Sequence, residues 1–190
     1  QAGAGLVVFP ELTVLGYPPK DLLLRPHLIE RNLNAVAHIA EACRDVVAVV
    51  GHAAPNPDRA GKGLFNAAAV CAGGRVLHTA AKSLLPTYDV FDEQRYFAPA
   101  RSVSAVNVPI AGATVRLGVS ICEDLWSHEE FAGQRLYVTD PLGALVADGA
   151  ELLVNISASP FAEEKPAQRQ AIFSRQVRRV HQPLVYVNQV

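Results

Sequence analysis

The chain has 190 residues, half of them hydrophobic, with a formal net charge of -1 and a pI near 6.6. That length buries one sizeable core rather than two, so a single domain is expected. The near-neutral charge offers no basic footprint for nucleic acid, and the apolar runs stop well short of the ~18 residues of a membrane span.

From the N-terminus, Leu6-Val7-Val8-Phe9-Pro10 reads as a buried strand that stops on Glu11. A helix is expected near residues 30–44, with Leu33, Val36, Ala37 and Ala40 on one apolar face, followed by a buried strand over 46–51. Residues 65–71 and 75–79 form a hairpin around Gly73-Gly74, and the second strand runs on to Lys82. Residues 103–109 and 114–121 form another hairpin, around Ile110-Ala111-Gly112-Ala113. A helix over about 141–148 leads to a strand at 152–156, and a longer one over 166–181 leads to a strand at 184–187. Pro166 suits a first helical turn and Pro183 a stop. Hairpins mixed with crossover helices indicate an α/β layered domain. No internal repeat, linker or low-complexity tract interrupts it.

Three strands end on chemistry. The run Leu117-Gly118-Val119-Ser120-Ile121 stops on Cys122 and turns polar at Glu123-Asp124, the first strand stops on Glu11, and the hairpin stops on Lys82. An acid, an amine and a thiol are thus expected at the ends of three strands of one sheet. Glu11 sits in an otherwise apolar decamer and Lys82 in Ala80-Ala81-Lys82-Ser83-Leu84-Leu85-Pro86. Charges in apolar surroundings are costly unless paired, so Glu11 and Lys82 are expected to pair beside Cys122. Cys43 and Cys71 read instead as small buried hydrophobes.

Such a trio suits attack on an amide. A thiol is mostly protonated near neutral pH and needs a base. Glu11 would take the thiol proton, pass it to departing ammonia and then activate water on a thioester. Lys82 would hold Glu11 and stabilise each oxyanion, with the backbone N–H after Cys122 as a second donor. No metal is needed. The three cysteines form neither a disulfide framework nor a CxxC site. His27, His38, His52, His78, His128 and His181 show no HxxxH or HxxEH pairing and are expected mostly at surface or capping positions. No Walker-type or Ser-Gly-Gly-x-Asp-Ser loop is present, so ATP chemistry is not expected on this chain. Gln1-Ala2-Gly3-Ala4 lacks the charged start of a signal peptide, and a catalytic thiol suits the cytoplasm.

Pro-Glu-Leu-x-x-x-Gly-Tyr at 10–17, Lys-x-x-Leu-Pro-x-Tyr at 82–88 and Cys-Glu-Asp at 122–124 resemble the three signatures of the nitrilase, or carbon–nitrogen hydrolase, superfamily. The longer stretches at 16–23, 88–97, 121–126 and 155–161 are similar to the glutaminase domain of glutamine-dependent NAD synthetases. The resemblance runs from about Gly5 to Val190. It implies a four-layer αββα sandwich, incomplete here at both ends, with Glu11, Lys82 and Cys122 as the catalytic residues and Glu93 as a supporting acid behind the lysine. It also implies that Tyr88, Glu123, Trp126, Ser159 and Lys165 line a glutamine pocket. Arg169, one turn on, is an alternative to Lys165.

The activity so implied is hydrolysis of glutamine to glutamate and ammonia through a Cys thioester. The ammonia would feed an ATP-dependent ligase domain, absent from this chain, that amidates deamido-NAD to NAD. ATP and Mg are expected only on that domain, no cofactor is expected here, and a homo-oligomer without nucleic-acid or membrane partners is implied. The chain departs from the family pattern at Glu164, where glycine is usual, and in the length of residues 127–150. Two other readings stay open: a stand-alone nitrilase-type amidase for another small amide, and an inactive fragment that keeps the fold.

Overall fold

The computed structural model describes residues 3–58, 61–88, 91–131, 134–160, 163 and 165–189, with the backbone alone for Glu130, Phe131, Arg135 and Lys165. Ten strands and three α-helices follow one another among them. In chain order they are β1 (Leu6–Val8), α1 (Pro26–Ala42), β2 (Val47–Pro55), β3 (Leu64–Ala72), β4 (Arg75–Ala81), β5 (Val106–Ile110) and β6 (Ala113–Ile121). Then come β7 (Glu130–Phe131), β8 (Gln134–Arg135), α2 (Pro141–Ala147), β9 (Leu152–Ser157), α3 (Lys165–Val180) and β10 (Leu184–Asn188).

Two four-stranded sheets result, ordered β1-β2-β3-β4 and β10-β9-β6-β5, with β7 and β8 as a small separate hairpin. The inner faces meet through Val47, Val49, Ala68 and Val70 of the first sheet and Leu117, Val119, Ile121, Val154 and Ile156 of the second. Burial of each Val, Leu or Ile there is worth about 1.5–3 kcal/mol. On the outer face of the first sheet, Val36, Ala40 and Cys43 of α1 and its C-cap pack on Ala48, Val50, Ala69 and Cys71. On the outer face of the second, Leu142 and Leu145 of α2 and Val180 of α3 pack with Leu153, Leu184 and Tyr186. The layers are therefore α, β, β and α. Because β2 is covered on both faces, its run Val47-Ala48-Val49-Val50 is apolar throughout rather than alternating.

Three expectations need correction. The ends of β1, β4 and β6 do not share a sheet, since each hairpin builds its own sheet and the two apolar faces then need each other. In α1 the buried stripe is Asn32, Val36 and Ala40, while Ala37 is exposed. Asn32 docks the helix with both ends of its amide, donating to Ala53 O at 2.7 Å and accepting from Ala53 N at 3.3 Å. His52 is no surface residue: it is buried in β2, where desolvation pushes its imidazole down to about 4 and keeps it neutral. No described helix is long and apolar enough to cross a membrane.

Candidate active site

Each of the three strand ends is shaped by a specific local device. After β1, Phe9 N still reaches Val49 O at 2.8 Å, and the chain then folds into a turn in which Gly16 N bonds Leu12 O at 2.8 Å and Leu12 takes φ +48°. Gly51 of β2 lies directly beneath, and a Cβ there would collide with the backbone of Pro10–Leu12. Glu11 is thereby driven inward and is fully buried. At the end of β4, Lys82 N continues the ladder to Asn66 O at 2.8 Å, which sets Lys82 beside Asn66 of β3. Cys122 follows the last residue of β6 with φ +44° and opens a 3-10 turn, Cys122–Trp126. A left-handed backbone at a non-glycine residue costs on the order of 1–3 kcal/mol and is a known way to present a nucleophile at a strand end.

These devices assemble a buried cluster of charge. Lys82 Nζ donates to Glu11 Oε1 and to Glu93 Oε1, each at 2.8 Å. Asn66 Nδ2 donates to Glu11 Oε1 at 2.7 Å and to Glu93 Oε2 at 3.3 Å, and the Tyr17 hydroxyl reaches Glu93 Oε1 at 3.1 Å. The remaining Glu11 oxygen, Oε2, accepts Ala158 N at 2.9 Å, and the neighbouring Ser157 hydroxyl donates to Cys122 Sγ at 3.2 Å. Glu11 and Cys122 are thus held by adjacent residues of one strand end. An ammonium has three donors, and the two carboxylates account for two of those on Lys82.

The electrostatics follow from burial and pairing. Desolvation works against the Lys82 charge, but Glu11 and Glu93 outweigh it and hold the ammonium well above the ordinary lysine range. Burial pushes Glu93 up, against the pull of Lys82. Burial also pushes the Cys122 thiol far up, with the Glu11 carboxylate adding to it and Lys82 opposing, so the resting sulfur is protonated.

A second group surrounds Glu123. The Tyr88 hydroxyl donates to its two oxygens at 3.0 and 2.9 Å, and the Tyr137 hydroxyl to Oε1 at 2.8 Å. Burial pushes Glu123 up while these hydroxyls pull it back. Ser159 is fixed by Asn188, whose Oδ1 accepts Ser159 N at 2.8 Å, and by Arg169 Nη2, which donates to its Oγ at 2.9 Å. Trp126 packs with Leu125, Leu142 and Leu145 and takes no part in the described hydrogen bonds around Glu123. The side chain of Lys165, together with Phe161 and Glu164, lies outside the described residues.

Asn66, Ser157, Tyr137 and Gly51 were not singled out from sequence. Asn66 had a signal, a lone amide in the apolar strand Leu64–Ala72, whereas a serine, a glycine and a loop tyrosine look ordinary until the fold places them.

The carbon–nitrogen hydrolase pattern matches residues 1–190, the whole of the sequence. The chain belongs to the carbon–nitrogen hydrolase family. Within it, this hydrolase is similar to the glutamine-dependent NAD(+) synthetase of Synechocystis sp., at 43% identity over 192 residues, 99% of this chain and 34% of that protein. The structure of the glutamine-dependent NAD+ synthetase from Acinetobacter baumannii superimposes with a TM-score of 0.81 at 36% identity, over 98% of this chain and 32% of that one. A carbon–nitrogen hydrolase from Helicobacter pylori shares the fold, with a TM-score of 0.69 at 24% identity, over 98% of this chain and 61% of that one. The chain spans about a third of the length of the curated relatives it matches. The four-layer α/β sandwich is accordingly the nitrilase-like fold.

Proposed function

We propose that this carbon–nitrogen hydrolase acts as a glutaminase, releasing ammonia from glutamine through a thioester on Cys122. The observation that carries the proposal is the clamp on Lys82: a buried ammonium held by Glu11 and Glu93 beside a protonated, buried thiol in a left-handed turn.

The chemistry balances with these groups alone. As the sulfur attacks the amide carbon, a C–S bond forms, the thiol proton passes to Glu11 and the carbonyl π electrons move to oxygen. The third donor of Lys82 and the backbone N–H of Glu123 would receive that oxyanion, where each fixed donor is worth about 2.7–4 kcal/mol. Collapse breaks the C–N bond, and Glu11 returns its proton to the departing nitrogen as ammonia. Water then gives a proton to Glu11 and attacks the thioester. The C–S bond breaks, the proton returns to sulfur and glutamate leaves.

Glu123, held by two tyrosine hydroxyls, is suited to the substrate ammonium, and Ser159 with Arg169 offers donors to its carboxylate. The similarity to NAD synthetases three times this length supports a further step, in which the ammonia passes to an ATP-dependent ligase domain that amidates deamido-NAD in the cytoplasm.

The test is ammonia release by the chain from L-glutamine, acetamide and propionamide, with Cys122→Ala as control. Release from glutamine, lost in the variant, is expected. Release from the simple amides only would favour a stand-alone amidase, and no release from any amide would favour an inactive fragment.

A further inference from the structure

The nucleophile has a neighbour to which nothing in the proposed thioester chemistry gives a role. Ser157, the last residue of β9, is buried, and its hydroxyl donates to Cys122 Sγ at 3.2 Å. The parallel register of β6 and β9 sets Ile121 opposite Ile156, so the residue after each strand pair meets its neighbour across the sheet end. A serine has one proton to give and two lone pairs to offer. Here that one proton points at the sulfur.

We propose that the Ser157 hydroxyl is a further catalytic group, a fixed donor to the Cys122 sulfur whenever that atom carries negative charge. The inference rests on Cys122 being the nucleophile. Sulfur is anionic twice, as it attacks and again when the thioester C–S bond breaks, and Ser157 keeps its own proton throughout. The need for such a donor comes from the surroundings. The carboxylates of Glu11 and Glu93 face the sulfur and oppose its charge, and Lys82, which favours it, is shared between them. Tyr17 and Tyr88 lie within electrostatic reach but are neutral donors to Glu93 and Glu123.

The test needs no substrate, so it is separable from the glutaminase proposal. The rate of iodoacetamide alkylation at Cys122 is followed by peptide mass spectrometry from pH 6 to 10, for the wild type, Ser157→Ala and Ser157→Gly, with thermal melts as a check on folding. A hydrogen bond to a charged group is worth enough that Ser157→Ala should slow alkylation roughly tenfold at each pH and displace the rate–pH line by about one unit to higher pH. Ser157→Gly, which also lacks the hydroxyl, should displace it in the same direction. Superimposable lines for the wild type and a folded Ser157→Ala protein would overturn the proposal. If Ser157→Ala does not fold, an unmoved line for a folded Ser157→Gly protein would overturn it instead. Loss of alkylation rate without any glutamine hydrolysis in the wild type would uphold the donor role and refute only the substrate.

Discussion

Asp124 accepts the backbone N–H of Leu84 at 2.9 Å, and that bond ties the turn carrying Cys122 to the loop that follows Lys82. The same oxygen takes Ser83 N at 3.0 Å, and the other takes Ile121 N at 3.0 Å. One carboxylate therefore joins the ends of two strands that belong to different sheets. Asp124→Asn turns one acceptor oxygen into a donor that faces a backbone N–H. We expect a loss of about 1–3 kcal/mol in stability, read from urea unfolding, and a fall in turnover of at least tenfold with little change in KM. A variant with wild-type turnover would show that the tie does not set the catalytic geometry.

Gly51→Ala tests the floor under Glu11. The added methyl would collide with the backbone of Pro10–Leu12, which is not a flexible side-chain tip, so the turn itself must move. A stability loss of about 1–3 kcal/mol is expected, together with loss of ammonia release. Full activity in the folded variant would mean that Glu11 tolerates displacement.

Lys82→Met should lower kcat by roughly 100-fold or more while leaving KM nearly unchanged, because the oxyanion exists only in the transition state. It also leaves Glu11 and Glu93 facing each other without the ammonium between them. Burial already holds Glu93 above its ordinary range, so the fold binds more protons there than the unfolded chain does, and stability falls as pH rises above the ordinary Glu range. Removing Lys82 should steepen that fall. Urea midpoints at pH 5, 6.5 and 8 would show it, and parallel pH dependences for the two proteins would contradict the clamp.

Tyr137→Phe addresses the subsite proposed for the substrate ammonium. Loss of one hydroxyl from Glu123 should raise the KM for glutamine roughly five- to tenfold and leave kcat largely intact. Because burial already pushes Glu123 up and this hydroxyl opposes it, the variant should lose its ionised carboxylate at a higher pH. The KM should then climb earlier as pH is lowered. Steady-state kinetics between pH 5.5 and 8 would decide, and an unchanged KM profile would remove Tyr137 from the subsite.

The order of strands and helices was legible from sequence because it rests on local pattern. The apolar run of β2, the Gly73-Gly74 hairpin and the prolines around α3 each act over a few residues. Glu11, Lys82 and Cys122 stood out for the same reason, as polar groups at the ends of apolar runs, and the pairing of the first two followed from the cost of burying either alone. Which sheet each strand joins is not local, so the expectation that all three strand ends share one sheet fails at Cys122. Only the packing of two sheets decides that Ala158 N meets Glu11 across 147 residues, that Asn66 bridges two carboxylates, and that Tyr137 closes on Glu123 from a segment with no pattern of its own. Those partners are chosen by register and by the contact of two apolar faces. No spacing along the chain encodes them, because a hydrogen bond across a sheet interface depends on where both sheets come to rest.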